Sequence, residues 1–144
     1  MKFNFFVIDE GEERINVYAH SYYPWIDKVR EIATEDETWV IGYKDDEIVK
    51  VYFHEIFCFA IENSKLYVYT EKEKYQIKER LYQIEERIDS DFIKINHSVI
   101  FKVNIIEKFK VSFGGALMVV MKNGFTDYIS RRQIKSVKER MGIK

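Results

Sequence analysis

The stretch FIKINHSVIFKVNII, Phe92 to Ile106, sets the reading of the whole chain. Its aromatic and aliphatic residues carry it into a core. Between them it presents Lys94, Asn96, His97, Ser98 and Lys102. Asn96-His97-Ser98 is a polar interruption in an otherwise apolar stretch, which predicts a loop. Amide, imidazole, hydroxyl and ammonium groups together suit phosphates and base edges.

The sign of the charge changes here. From Phe92 onward there are 11 Lys or Arg and 3 acidic residues, a net of +8. From Met1 to Asp91 there are 12 basic and 21 acidic residues, a net of −9. Such asymmetry suggests a polyanion partner. Attraction between the two halves of the fold explains it equally well.

Working toward the N-terminus, Ile77, Leu81, Ile84 and Ile88 repeat at helical spacing and predict an amphipathic helix of about three turns. Before it, Glu71 to Lys74 is a charged turn. Leu66–Thr70 alternates as a strand, and Asn63-Ser64-Lys65 is a tight polar turn. Ile56–Ile61 is nearly all apolar, as suits a strand covered on both faces. Trp39–Tyr43 and Ile48–His54 are strands joined by the turn Lys44-Asp45-Asp46-Glu47.

Working toward the C-terminus, Gly114-Gly115 separates strands Phe109–Phe113 and Ala116–Met121. Asn123-Gly124 joins the second of these to Phe125–Ile129, a strong hairpin signal. Ser130, with Gln133, predicts a capping box for a last helix. Ile134, Val137 and Met141 supply its apolar stripe, and Gly142 ends it.

The first 45 residues read as a small acidic ββα unit. Met1–Ile8 and Arg14–His20 are its strands, joined by a turn at Asp9-Glu10-Gly11-Glu12. Pro24 starts a helix carrying Trp25, Ile26, Val29 and Ile32, and the acidic run Glu35-Asp36-Glu37 follows. Residues 46–144 form the main domain. The expected class is mainly β, with antiparallel sheets and two short amphipathic helices.

Of 144 residues, 47% are hydrophobic and 16% aromatic, enough for a core. No apolar run reaches the roughly 18 residues that span a bilayer. The start has no secretion-signal pattern. The lone Cys58 lies in an apolar run and reads as buried and inert. A cytoplasmic location is expected. No spacing suggests a metal site, a cofactor or a nucleophile with its base, so an enzyme is not expected.

Arg131 and Arg132 occupy the first turn of the final helix, where cations oppose the helix dipole. A phosphate would account for them, because that end favours anions. An arginine fork can also read guanine. Pairing with carboxylates elsewhere in the fold is the structural alternative.

An ordered set of segments resembles the LytTR family of bacterial DNA-binding domains, from about Glu47 to the C-terminus. The segments are Phe57-Cys58-Phe59-Ala60-Ile61-Glu62, Leu66–Thr70, Tyr75-Gln76-Ile77-Lys78 with Leu81 and Ile84-Glu85, Phe92–Ser98, and Tyr128–Ile134. The N-terminal unit is too short for a phosphoacceptor receiver, so the chain resembles small stand-alone regulators carrying only this response-regulator-like output domain. These are often encoded beside a small membrane protein.

The resemblance implies an elongated fold of stacked antiparallel sheets whose loops, rather than a recognition helix, enter successive major grooves and bend the duplex. Carried onto this chain, the first loop is Asn63-Ser64-Lys65 and the second is Asn96-His97-Ser98. The third is the start of the last helix, where Arg132 matches the base-reading arginine and Arg131 is its neighbour. The expected DNA-binding set is Ser64, Lys65, Lys94, Asn96, His97, Ser98, Lys102, Arg131 and Arg132, with Lys108 adding phosphate attraction. The family usually has Asn where this chain has Lys102, and His97 is an uncommon occupant of its position.

The leading expectation is a transcriptional regulator binding double-stranded DNA as a homodimer on paired half-sites. A protein-interaction or ligand-sensing module that docks an acidic partner is the alternative. A third reading, RNA binding, needs Tyr or Phe on a solvent-facing sheet, whereas most aromatics here sit at core-like positions. For the acidic N-terminal unit three roles stay open: dimerisation, docking of a partner such as the membrane protein, or shielding of the basic face.

Overall fold

The computed structural model describes residues 1–11, 14–34 and 38–144. They divide into two compact units, Met1–Thr38 and Trp39–Lys144. The division falls ahead of residue 45 because Trp39–Lys44 (β1) pairs along its length with Glu47–Tyr52 (β2). A boundary between them would cut a hairpin.

In the smaller unit, Trp25–Thr34 forms α1. Met1–Ile8 and Arg14–His20 form no strand, contrary to expectation. A two-stranded ribbon alone is marginal in water, and the described residues of this unit supply no third strand. Glu12 of the expected turn and the run Glu35-Asp36-Glu37 lie outside the described residues.

The larger unit holds ten strands, two α-helices and two single-turn 3-10 helices. Ile56–Glu62 (β3), Lys65–Thr70 (β4), Lys74–Ile77 (β5), Phe92–Asn96 (β6) and Val99–Lys102 (β7) join β1 and β2 in a sheet ordered β2-β1-β5-β4-β3-β7-β6. Ile106–Val111 (β8), Leu117–Met121 (β9) and Thr126–Tyr128 (β10) form a second sheet ordered β10-β9-β8. Every pairing is antiparallel.

The apolar character of β3 follows from its place. On one face Cys58 and Ala60 share a core with Ile93, Phe101, Val119 and Met121. On the other, Ile56 and Phe59 join Val68, Ile77, Leu81 and Ile84. A register shift between Ile56 and Cys58 lets Ile56 depart from strict alternation. Cys58 is buried, and that burial pushes its thiol well up, so it stays protonated.

The predicted three-turn helix is shorter than expected. Only Leu81–Glu85 (α2) is helical, and Ile77 belongs to β5, which pairs with β4. All four residues of the stripe still pack together, Ile88 at the edge. Arg80 is extended, and its N–H donates to Gln83 Oε1 at 2.8 Å, which fixes the helix start after the strand. Helix α3, Arg131–Met141, buries Val137 against the other core and ends at Gly142 with φ 73°. Among the described residues no helix is long and apolar enough to cross a membrane.

Candidate nucleic-acid interface

The first bend joins β3 to β4. Glu62 and Lys65 close it as a register pair, leaving Asn63 and Ser64 between them. Both are left-handed, with φ of 50° and 65°, the twist that two-residue hairpins favour. Asn tolerates this conformation, whereas for Ser it is strained by roughly 1 kcal/mol.

Glu62 accepts hydrogen bonds from Tyr69 Oη and from Lys74 Nζ. Burial raises its pKa, but the bonds from Lys74 and Tyr69 outweigh that and hold it below the ordinary carboxyl value. Burial and the same contact push Tyr69 up to about 12. With Glu62 so engaged, Lys65 is exposed and makes no ion pair among the described residues.

The second bend joins β6 to β7, with His97 and Ser98 between the paired Asn96 and Val99. Asn96 is committed to the fold: its Oδ1 accepts from the Ser98 N–H and its Nδ2 donates to the Tyr128 carbonyl, both at 2.8 Å. His97 is exposed, and Ser98 is half-buried.

The third bend is the entry to α3. Ser130 is extended and precedes the helix, but its hydroxyl makes no capping bond, so the expected box with Gln133 does not form. Instead the Ser130 carbonyl accepts from the Gln133 and Ile134 N–H groups, at 2.9 and 3.1 Å. Arg131 and Arg132 are exposed, and neither has a carboxylate partner among the described residues. The alternative of internal pairing is therefore absent from the described contacts.

Two backbone bonds tie the bends together. The Ile61 N–H donates to the Ser98 carbonyl at 2.9 Å, joining first to second. The Ser130 N–H donates to the Ile95 carbonyl at 2.9 Å, joining second to third. Asn96 reinforces the latter through Tyr128. These bonds place all three bends at one end of the larger unit, and Lys65, His97, Arg131 and Arg132 on them are exposed.

The remaining expected contacts sit elsewhere. Lys102 ends β7, opposite Phe92 and away from the His97 bend, and its Nζ donates to the His54 carbonyl at 2.8 Å. Its charge is used to tie the far end of the sheet. Lys94 is half-buried and ion-paired with Glu85. Lys108 is exposed on β8 without a carboxylate partner among the described residues.

One feature of this end has no local signature in the sequence. Leu117 accepts from the Ile129 N–H at 2.9 Å, so the β8–β9 turn lies at the same end as the start of α3. Phe113 on that turn is fully exposed, with Lys110 nearby in sequence. Gly114-Gly115 marked a turn, but only the long-range pairing fixes which end it occupies.

Residues 46–142 match the family model described as the LytTr DNA-binding domain. The chain is 30% identical to an uncharacterized HTH-type transcriptional regulator of Staphylococcus aureus strain bovine RF122 / ET3-1, with 99% of each chain covered. Its counterpart from strain N315 shows the same 30% identity and 99% coverage. A solved LytTr DNA-binding domain from Bacillus cereus superposes with a TM-score of 0.67 at 21% identity, over 74% of this chain and 98% of that one. The helix-turn-helix label of the relatives does not describe this architecture: five strands separate α2 from α3.

Proposed function

This chain belongs to the LytTr family of DNA-binding domains, and from that premise we propose that it is a sequence-specific transcriptional regulator of double-stranded DNA. It acts in the cytoplasm and binds paired half-sites as a homodimer. The bends carrying Lys65, His97 and Arg132 enter successive major grooves. Arg132 reads a base through its guanidinium fork, and Arg131 holds phosphate. The uncapped first turn of α3 adds backbone N–H groups that favour an anion. Ser64 and Ser98 contribute polar contacts at the tips, while Asn96 serves by holding the second and third bends in place. Lys108 and Lys110 draw the duplex in through long-range attraction.

The observation that supports this most is the pair of backbone bonds, Ile61 to Ser98 and Ser130 to Ile95, which bring three sequence-distant bends together. The transcriptional-regulator relatives, matched over 99% of their length, support the regulatory role. The test is a mobility-shift titration with the chain's own upstream DNA and a random duplex of equal length. Tighter binding to the upstream fragment is expected; equal binding to both would remove sequence specificity.

A further inference from the structure

The smaller unit has strand-like sequence, yet its described residues form no strand. Phe3, Phe5, Phe6 and Val7 are each at least three-quarters exposed, and Tyr18, Tyr22 and Ile32 are exposed by more than half. Among the described residues, none of the buried apolar ones precedes Val40. Large aromatic side chains each bring about 150–250 Å². Five such residues, Phe3, Phe5, Phe6, Tyr18 and Tyr22, with the aliphatic ones beside them, therefore expose on the order of 1,000 Å². That is the area one partner contributes to a stable protein–protein interface, about 800 Å². A monomer rarely leaves such an apolar area open.

We propose that Met1–Glu10 pairs antiparallel with the same segment of a second copy, making the smaller unit the dimer surface. This deepens the homodimer part of the proposed function and is independent of which groups touch DNA. The sequence is self-complementary about Phe6. With Phe6 facing its own counterpart, Phe5 lies opposite Val7 and Lys2 opposite Glu10 at both ends, while Asn4 meets Ile8 and Phe3 meets Asp9 between them. Opposite-charge cross-strand pairs favour that register. Phe3, Phe5 and Val7 of both copies then share one face, because side chains alternate along a strand. With Arg14–His20 folded back from each copy, the ribbon becomes four strands. That exceeds the three or more that stand on their own. It also explains why strands legible in the sequence are missing from a single copy.

The experiment is sedimentation equilibrium on the full chain, without DNA. The unaltered chain is expected to be a dimer, and Phe5→Asp with Val7→Asp a monomer that keeps the far-ultraviolet spectrum of the larger unit. Lys2→Glu alone and Glu10→Lys alone each place like charges at both ends, and each should weaken dimerisation by about tenfold. Mixing these two variants restores opposite charges at both ends, so the mixture should form a heterodimer as tight as the unaltered dimer. A monomeric unaltered chain overturns the proposal. So does a dimer that the apolar substitutions leave intact, or a mixture no tighter than its components. The absence of sequence-specific DNA binding would end the proposed function and leave this result standing.

Discussion

Arg132 stands in the first turn of α3, where a positive charge is opposed by the helix dipole by a few tenths to about 1 kcal/mol. No carboxylate among the described residues relieves it. Arg132→Ala should therefore leave folding unharmed and lower affinity for a specific site by about 1–3 kcal/mol, the worth of a bidentate base contact. A titration against specific and random duplexes separates the roles: equal losses on both would mean that Arg132 touches phosphate only. Glu62 makes a pH-dependent contribution to the first bend. Its folded pKa lies below the ordinary value of 4.5. Its stabilisation is therefore complete above about pH 4.5 and lost as pH falls through the depressed folded value. Urea midpoints measured from pH 6 down to pH 3 should fall less steeply for Glu62→Gln than for the unaltered chain. Exposed groups such as Lys65, His97 and the arginine pair were legible as residue types. Asn96 and Lys102 were legible only as polar side chains. Whether an amide or ammonium faces solvent or a backbone carbonyl is decided by contacts 32 and 48 residues away, which local pattern does not encode.

At the level of the element, hairpins were read well because their signals are local. The Asn63-Ser64 and Asn123-Gly124 turns stand where their residues predict. Ser64 holds a left-handed conformation that glycine adopts freely. Ser64→Gly should stabilise the domain by about 0.5–1 kcal/mol, read as a raised denaturation midpoint. An unchanged or lowered midpoint would mean that the serine side chain offsets its strain. At α2 the periodicity overstates the helix, because a 3.6-residue stripe can be assembled from a strand end and one helical turn. Ile77 reaches the same core from β5. A glycine inside β1 records how closely that edge is packed. A Cβ on Gly42 would lie 2.8 Å from Tyr75 Cβ and 3.0 Å from Val51 Cγ2. Gly42→Ala should destabilise the larger unit by about 1–3 kcal/mol, again by chemical denaturation.

For the whole molecule, the alternation of apolar residues and the turn signals made an antiparallel, mainly β domain legible in advance. The order β2-β1-β5-β4-β3-β7-β6 was not legible, since β3 finds β7 across some 40 intervening residues. That long-range pairing is what brings the bends to one end. It also separates the basic second half into an open end and a far end closed by Lys102. Binding should weaken steeply with salt, since cations at the open end displace counterions from the duplex. The direct measurement is amide chemical-shift mapping of the full chain on addition of its upstream duplex. Shifts are predicted at Asn63–Lys65, Asn96–Ser98 and Ser130–Arg132 together, with His54 and Lys102 unmoved. Shifts confined to one bend, or centred on His54 and Lys102, would contradict a shared DNA-reading end.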